Sequence, residues 1–210
     1  TADIYPVDFR KDPTFVNFGN FKYRNIHRGN ALGDAFFVHY EEGIYYGYRY
    51  YETAAHEGFI NYDDAVVYPF GYGLSYTTFQ WELLSQDLEG PDGKLRFSVR
   101  VINTGKVAGK EVVQLYYSPP YTKGGIEKSS IVLADFAKTK LLNPGESDVV
   151  TLSVAVEDMA SYDYKKNRAY VLEKGAYVLK FQTDSHRPKQ GMPEITCMVD
   201  KTIVYAGANH

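Results

Sequence analysis

The sequence predicts a mainly β protein, a β-sandwich preceded by an irregular, aromatic-rich stretch. Three observations predict it. Leu95, Phe97, Val99 and Val101 alternate strictly with Lys94, Arg96, Ser98 and Arg100, which is the period of a half-buried strand. About seven such short segments, separated by turn signals, recur over residues 80–205, as in an immunoglobulin-like sandwich. Ahead of residue 80 neither this period nor a helical one persists.

Taken in order, residues 1–33 carry little periodicity. Asp12-Pro13-Thr14 is a turn or helix-start signal, and Phe15, Phe18 and Phe21 are spaced by three, as in a short helical stripe. Asn17, Gly19, Asn20, Asn25, Gly29 and Asn30 indicate a long irregular loop over 17–33. Loops of that length are functional or packed against something else. His27 and Arg28 fall here and read as solvated. The chain starts at Thr1-Ala2-Asp3 with no initiator Met, basic region or apolar leader, so a processed chain or a fragment is expected.

From Ala35 to Tyr51 the chain is dense in aromatics. Gly43 and Gly47 break a helix, and Ile44, Tyr46, Tyr48 and Tyr50 alternate as one face of a strand. Arg49 has Glu42 and Glu52 near in sequence, so a structural Arg–carboxylate clamp is expected. Residues 53–67 read as a polar connector. His56-Glu57 lacks a second His or Cys at ligand spacing, so no metal site is expected. In Tyr68 to Phe79, Pro69 fixes one φ and Gly71 and Gly73 permit positive φ. Phe70, Tyr72, Leu74, Tyr76 and Phe79 would anchor this rigid hinge.

The sandwich follows. Residues 94–101 run into the turn Asn103-Thr104-Gly105. Val113, Leu115 and Tyr117 line one face of the strand from Glu111 to Ser118, and a long loop follows at 119–128. Ile131 to Leu142 ends at the Asn143-Pro144-Gly145 turn, and Val150, Leu152 and Val154 alternate after it. Asp158 to Asp163 reads as a crossover turn, with Tyr162 where a tyrosine corner would sit. Tyr177, Leu179 and Phe181 form another strand, and Cys197 to Val204 the last. With no Cys-Trp-Cys pattern, the fibronectin-III type is expected over the antibody type.

Composition narrows the function classes. The formal charge of −3 is too small to point to nucleic acid or an anionic membrane, and no apolar run approaches the ~20 residues of a membrane span. One cysteine, Cys197, excludes an intrachain disulfide and leaves the compartment open.

Two segments resemble a known family. Tyr68-Pro69-Phe70-Gly71-Tyr72-Gly73-Leu74-Ser75-Tyr76-Thr77-Thr78-Phe79 is similar to the signature where the α/β sandwich domain of family 3 glycoside hydrolases passes into a fibronectin-III-like domain. Glu41-Glu42-Gly43-Ile44-Tyr45-Tyr46-Gly47-Tyr48-Arg49-Tyr50-Tyr51-Glu52 resembles the segment that precedes it. Residues 101–116, 121–128 and 142–147 resemble the fibronectin-III-like domain itself. The resemblance implies three parts. Residues 1–79 would be the carboxyl-terminal remnant of the α/β sandwich domain plus hinge, 80–205 the fibronectin-III-like sandwich, and 206–210 a linker or tail.

The resemblance implies β-glucosidase-like chemistry, in which two carboxyl groups about 5–5.5 Å apart hydrolyse a β-glycosidic bond with retention. No barrel of eight βα units, which takes ~250 residues, is legible here. Glu41, Glu42, Glu52 and Glu57 read as surface or Arg-paired groups. No catalytic residue is therefore assigned, substrate-binding residues stay unknown, and no cofactor or metal is implied. The expected role is a non-catalytic segment, inactive alone, that braces the catalytic domains of the same or a nicked chain. It would also lend a loop, 17–33 or 119–128, to the rim of a carbohydrate pocket. The alternatives are a free-standing carbohydrate-binding module and a protein-interaction module. The first role alone requires a partner domain over residues 1–79, which are too aromatic for a solvated tail.

Overall fold

The computed structural model describes residues 21–24, 31–35, 43–89 and 93–205. The chain divides into two compact units, Thr1–Tyr46 and Gly47–His210. In the first, β1 (Phe21–Arg24) pairs antiparallel with β2 (Ala31–Ala35), with a register shift between Lys22 and Arg24. Part of the expected irregular loop is thus a hairpin. The expected helical stripe before it, apart from Phe21, lies outside the described residues, as do His27, Arg28, Glu41 and Glu42.

The second unit begins at Gly47. Tyr48–His56 is a helix, α1, and not a strand. Gly47 turns the chain with φ 55. After it, the Tyr48 ring stacks on Phe70 at 4.7 Å and its hydroxyl accepts the Leu133 N–H at 2.9 Å. Those tertiary contacts override the β preference of aromatics, which is weak and context-dependent. The supposed connector contains the end of α1 and a short helix, α2 (Tyr62–Ala65), whose Asn61 side chain caps the Asp63 N–H at 3.2 Å.

The sandwich is entirely antiparallel. One sheet has the order β3 (Phe79–Asp87), β4 (Lys94–Asn103), β7 (Ser147–Ala155). The other has the order β11 (Glu194–Val199), β10 (Gly175–Gln182), β5 (Val112–Ser118), β6 (Val132–Lys138). The expected alternation holds: Leu95, Phe97, Val99 and Val101 are buried, as are Val150, Leu152 and Val154 opposite them. Phe97 of one sheet meets Phe181 of the other edge-on, ring centroids 5.7 Å apart. A small third sheet of β12 (Ile203–Tyr205), β9 (Ala169–Leu172) and β8 (Ser161–Asp163) closes one side, and a 3₁₀ turn at Val156–Met159 leads into it.

Three strand readings need revision. The last strand is two, because the chain leaves β10 after Val199 and joins β9 at Ile203. Strand β5 is buried on both faces: Val113, Leu115 and Tyr117 enter the core, while Gln114 and Tyr116 are buried beneath the hinge. Tyr162 is exposed at the β8 edge, so it is no tyrosine corner. That place belongs to Tyr177, fully buried, whose hydroxyl donates to the Glu173 carbonyl at 3.2 Å. Tyr177→Phe should lower stability by about 1 kcal/mol in urea unfolding. Tyr162→Phe should leave it unchanged.

Candidate functional site at the hinge

Two fastenings hold α1, α2 and the hinge against the sandwich. The first is at Gly71, where φ is 81 and the turn closes with the Tyr72 N–H on the Pro69 carbonyl at 3.1 Å. Gln114 reaches up from β5. Its Nε2 donates to the Gly71 carbonyl at 3.1 Å and to the Thr183 carbonyl at 2.7 Å, and its Oε1 accepts the Tyr116 hydroxyl at 2.8 Å. A side chain at residue 71 would overlap Gln114 Oε1. The Ser185 N–H adds a bond to the Phe70 carbonyl at 2.8 Å.

The second fastening is a clasp around Glu52. Its buried carboxylate accepts the Ser185 hydroxyl at 2.8 Å and faces His186 Nδ1 at 3.0 Å. The Tyr62 ring lies parallel to the His186 ring, centroids 3.7 Å apart. Burial, followed by the adjacent Glu52, pushes the Tyr62 phenol above its ordinary range. The Glu52 carboxylate, expected to face Arg49, is thus engaged on the sandwich loop. Glu57 is exposed at the end of α1. Glu52→Ala should cost about 2 kcal/mol, because Ser185 and His186 lose their acceptor. Amide exchange should quicken over residues 48–65 and not in β4; unchanged exchange there would sink the clasp.

These fastenings correct the anchoring expected of the hinge aromatics. Phe79 is buried, but Leu74 is 89% exposed and Tyr76 fully so. Phe59, Val67, Tyr68 and Phe70 are exposed as well, and Tyr72 partly. Backbone and Gln114 bonds and the Phe70 ring on Tyr48 hold the segment, so Leu74 and Tyr76 are free to point outward. Large apolar side chains are thus exposed at intervals over residues 59–76, among exposed polar ones such as Asp63, Asp64 and Ser75.

The loop at 119–128 is fixed from beneath. The Lys128 ammonium is buried, 2.5 Å from the Pro120 carbonyl and 2.6 Å from Glu173 Oε2. Next to it, Ser130 N–H donates to Thr53 Oγ1 of α1 at 2.9 Å. The tip, Tyr121 to Gly125, is exposed and turns at Gly124 with φ 83. Among the described residues no three His, Cys, Asp or Glu side chains group as a metal would require.

Nothing in the sequence marked His186 or Ser185. The available signal was Gln114 itself, a polar residue inside the run Val112 to Tyr117.

The family described as fibronectin type III-like domain matches residues 111–185. β-Glucosidase A of Butyrivibrio fibrisolvens is 46% identical over 157 residues, which cover 67% of this chain and 18% of that protein. The β-glucosidase structure from Paenibacillus barengoltzii aligns with TM-score 0.69 and 39% identity, over 93% of this chain and 20% of that one. The GH3 β-glucosidase of Bifidobacterium adolescentis aligns with TM-score 0.65 and 28% identity, over 93% and 25%.

The chain belongs to glycoside hydrolase family 3.

It spans about a fifth of the length of the family 3 relatives it matches. The matched part includes the fibronectin type III-like domain, in keeping with a non-catalytic segment of family 3 sequence.

Proposed function

We propose that this chain is the bracing segment of a β-glucosidase-like enzyme and is inactive on its own. The observation that carries the reading is the number of large apolar side chains left exposed over residues 59–76. Isolated exposed apolar residues are ordinary, whereas a run of them on a fixed scaffold marks an interface. Leu74, Tyr76, Phe59 and Tyr68 are each at least 70% exposed, and a partner covering them would remove most of their area from water. On this reading the partner is the catalytic part of the same enzyme, in one chain or a nicked pair. Residues 1–79 end the α/β sandwich domain, 80–205 are the bracing domain, and 206–210 are a linker. Hydrolysis of a β-glycosidic bond takes place on the partner's two carboxyl groups. The loop at 119–128, stiffened by Lys128, is the element placed to extend the pocket rim through Tyr121.

The test compares the chain alone, the complete gene product and the complete product with Leu74→Ser and Tyr76→Ser. An aryl β-glucoside should be hydrolysed by the complete product and not by the chain. The double variant should lose thermal stability or release the bracing part after limited proteolysis. A complete product without β-glucosidase activity overturns the enzymatic reading, and an unaffected double variant overturns the bracing reading.

A further inference from the structure

The hairpin of β8 and β9 carries a second surface, on side chains outside the hinge. Its turn, Asp163 to Arg168, is fixed from within. Asp163 Oδ1 accepts the N–H groups of Lys165 and Lys166, each at 3.1 Å. Its Oδ2 accepts the Asn167 N–H at 3.0 Å and the Asn167 side-chain amide at 2.8 Å. Donation from Lys166 leads the bonds that hold this carboxyl below its ordinary range. The turn's acid is therefore spent internally.

Arg168 ends the turn with φ 49, and among the described residues it is the one non-glycine with positive φ. Glycine or asparagine would take that conformation with less strain. Strain of this kind persists where the surroundings over-determine it, and it concentrates where a side chain is used.

The exposed side chains of the hairpin and its turn combine rings and cations. Tyr164 is 58% exposed, with the Lys165 ammonium 5.4 Å from its ring centre. Tyr162 and Tyr170 sit opposite each other across the hairpin, both exposed, with rings 5.3 Å apart and inclined at 67°. Lys166 and Arg168 are exposed. Glu127 lies 3.8 Å from Lys165. Tyrosine rings offer apolar faces to the C–H faces of sugars, and an Arg fork matches a carboxylate in two parallel bonds. Rings inclined to each other suit a twisted soluble chain better than a flat crystalline face.

We propose that the β8–β9 hairpin is a binding surface for a polysaccharide bearing carboxylate groups. Tyr162, Tyr164 and Tyr170 pack on its sugar rings, while Lys166 and Arg168 pair with its carboxylates. Such a surface holds the segment on an acidic glycan matrix, apart from any cleavage step, so this chain itself is the test material.

The experiment is retardation of the chain in native gels containing carboxymethylcellulose, hydroxyethylcellulose or no polymer. Retardation is expected with carboxymethylcellulose only. Arg168→Gly removes the strain, so the variant should melt at the same or a higher temperature yet bind about tenfold more weakly. Tyr164→Ala with Tyr170→Ala should abolish retardation. Absence of retardation, equal retardation by both polymers, or wild-type binding by either variant overturns the proposal. Each of these results is independent of whether the complete gene product is a β-glucosidase.

Discussion

Asn103→Ala should cost about 4 kcal/mol of folding stability. Asn103 ends β4 with no exposed surface, and all of its side-chain capacity is used. Oδ1 accepts the Thr77 hydroxyl at 2.7 Å and the Gly105 N–H at 3.0 Å. Nδ2 donates to the carbonyls of Leu142 at 2.8 Å and Val107 at 2.9 Å. One amide thus joins the end of the hinge, the 103–109 turn and the approach to β7. Alanine leaves four polar partners behind; the Leu142 carbonyl keeps the Gly109 N–H at 3.0 Å, and each group left without a partner costs about 1–3 kcal/mol before relaxation. Asn103→Asp should be no better, because it sets an acceptor against two carbonyls. Urea unfolding measures both variants. A loss below about 1 kcal/mol would mean that water enters and replaces the amide.

Gly71→Val should cost about 3 kcal/mol or more, while Gly73→Ala should change little. Two effects combine at residue 71. A β-branched side chain at φ 81 is strained by about 1–3 kcal/mol. Its Cβ would also overlap Gln114 Oε1, and forcing a packed neighbour aside costs about 1–3 kcal/mol more. Gly73 has neither constraint: its φ is not positive and nothing lies within 4 Å of an added Cβ. Thermal unfolding separates the two. In Gly71→Val, residues 48–76 should also exchange amide hydrogens faster than the strands. Equal behaviour of the two variants would remove the rigid-turn account of the hinge.

The sandwich was legible because a half-buried strand writes its two faces into alternate residues, as β4 and β7 do. Turns were legible where glycine is required, as at Gly145 with φ 81. The hinge was legible as a rigid segment but not in its orientation. Five aromatic or aliphatic residues there suggest burial, and composition says nothing about which partner buries them. Helix α1 was missed because its residues favour a strand locally, while the contacts that hold it, Tyr48 to Leu133 and Glu52 to Ser185 and His186, span 85, 133 and 134 positions. The tyrosine corner was assigned to Tyr162 instead of Tyr177 for a similar reason. Whether a hydroxyl reaches a carbonyl four residues upstream depends on the path of Glu173 to Gly175. Of the acidic residues weighed for chemistry, Glu52 alone acquires a built environment among the described residues, and its partners come from a distant loop.

Strand β5 looks into the sandwich core with Val113, Leu115 and Tyr117 and up at the hinge with Gln114 and Tyr116. One strand therefore serves two interfaces, and neither can be exchanged without the other. For evolution by recombination among related enzymes, this sets where chains can cross over. A junction at the first sandwich strand would pair a foreign hinge with a resident Gln114 and Ser185. A junction ahead of Gly47 would carry helix, hinge and sandwich together and keep both interfaces matched.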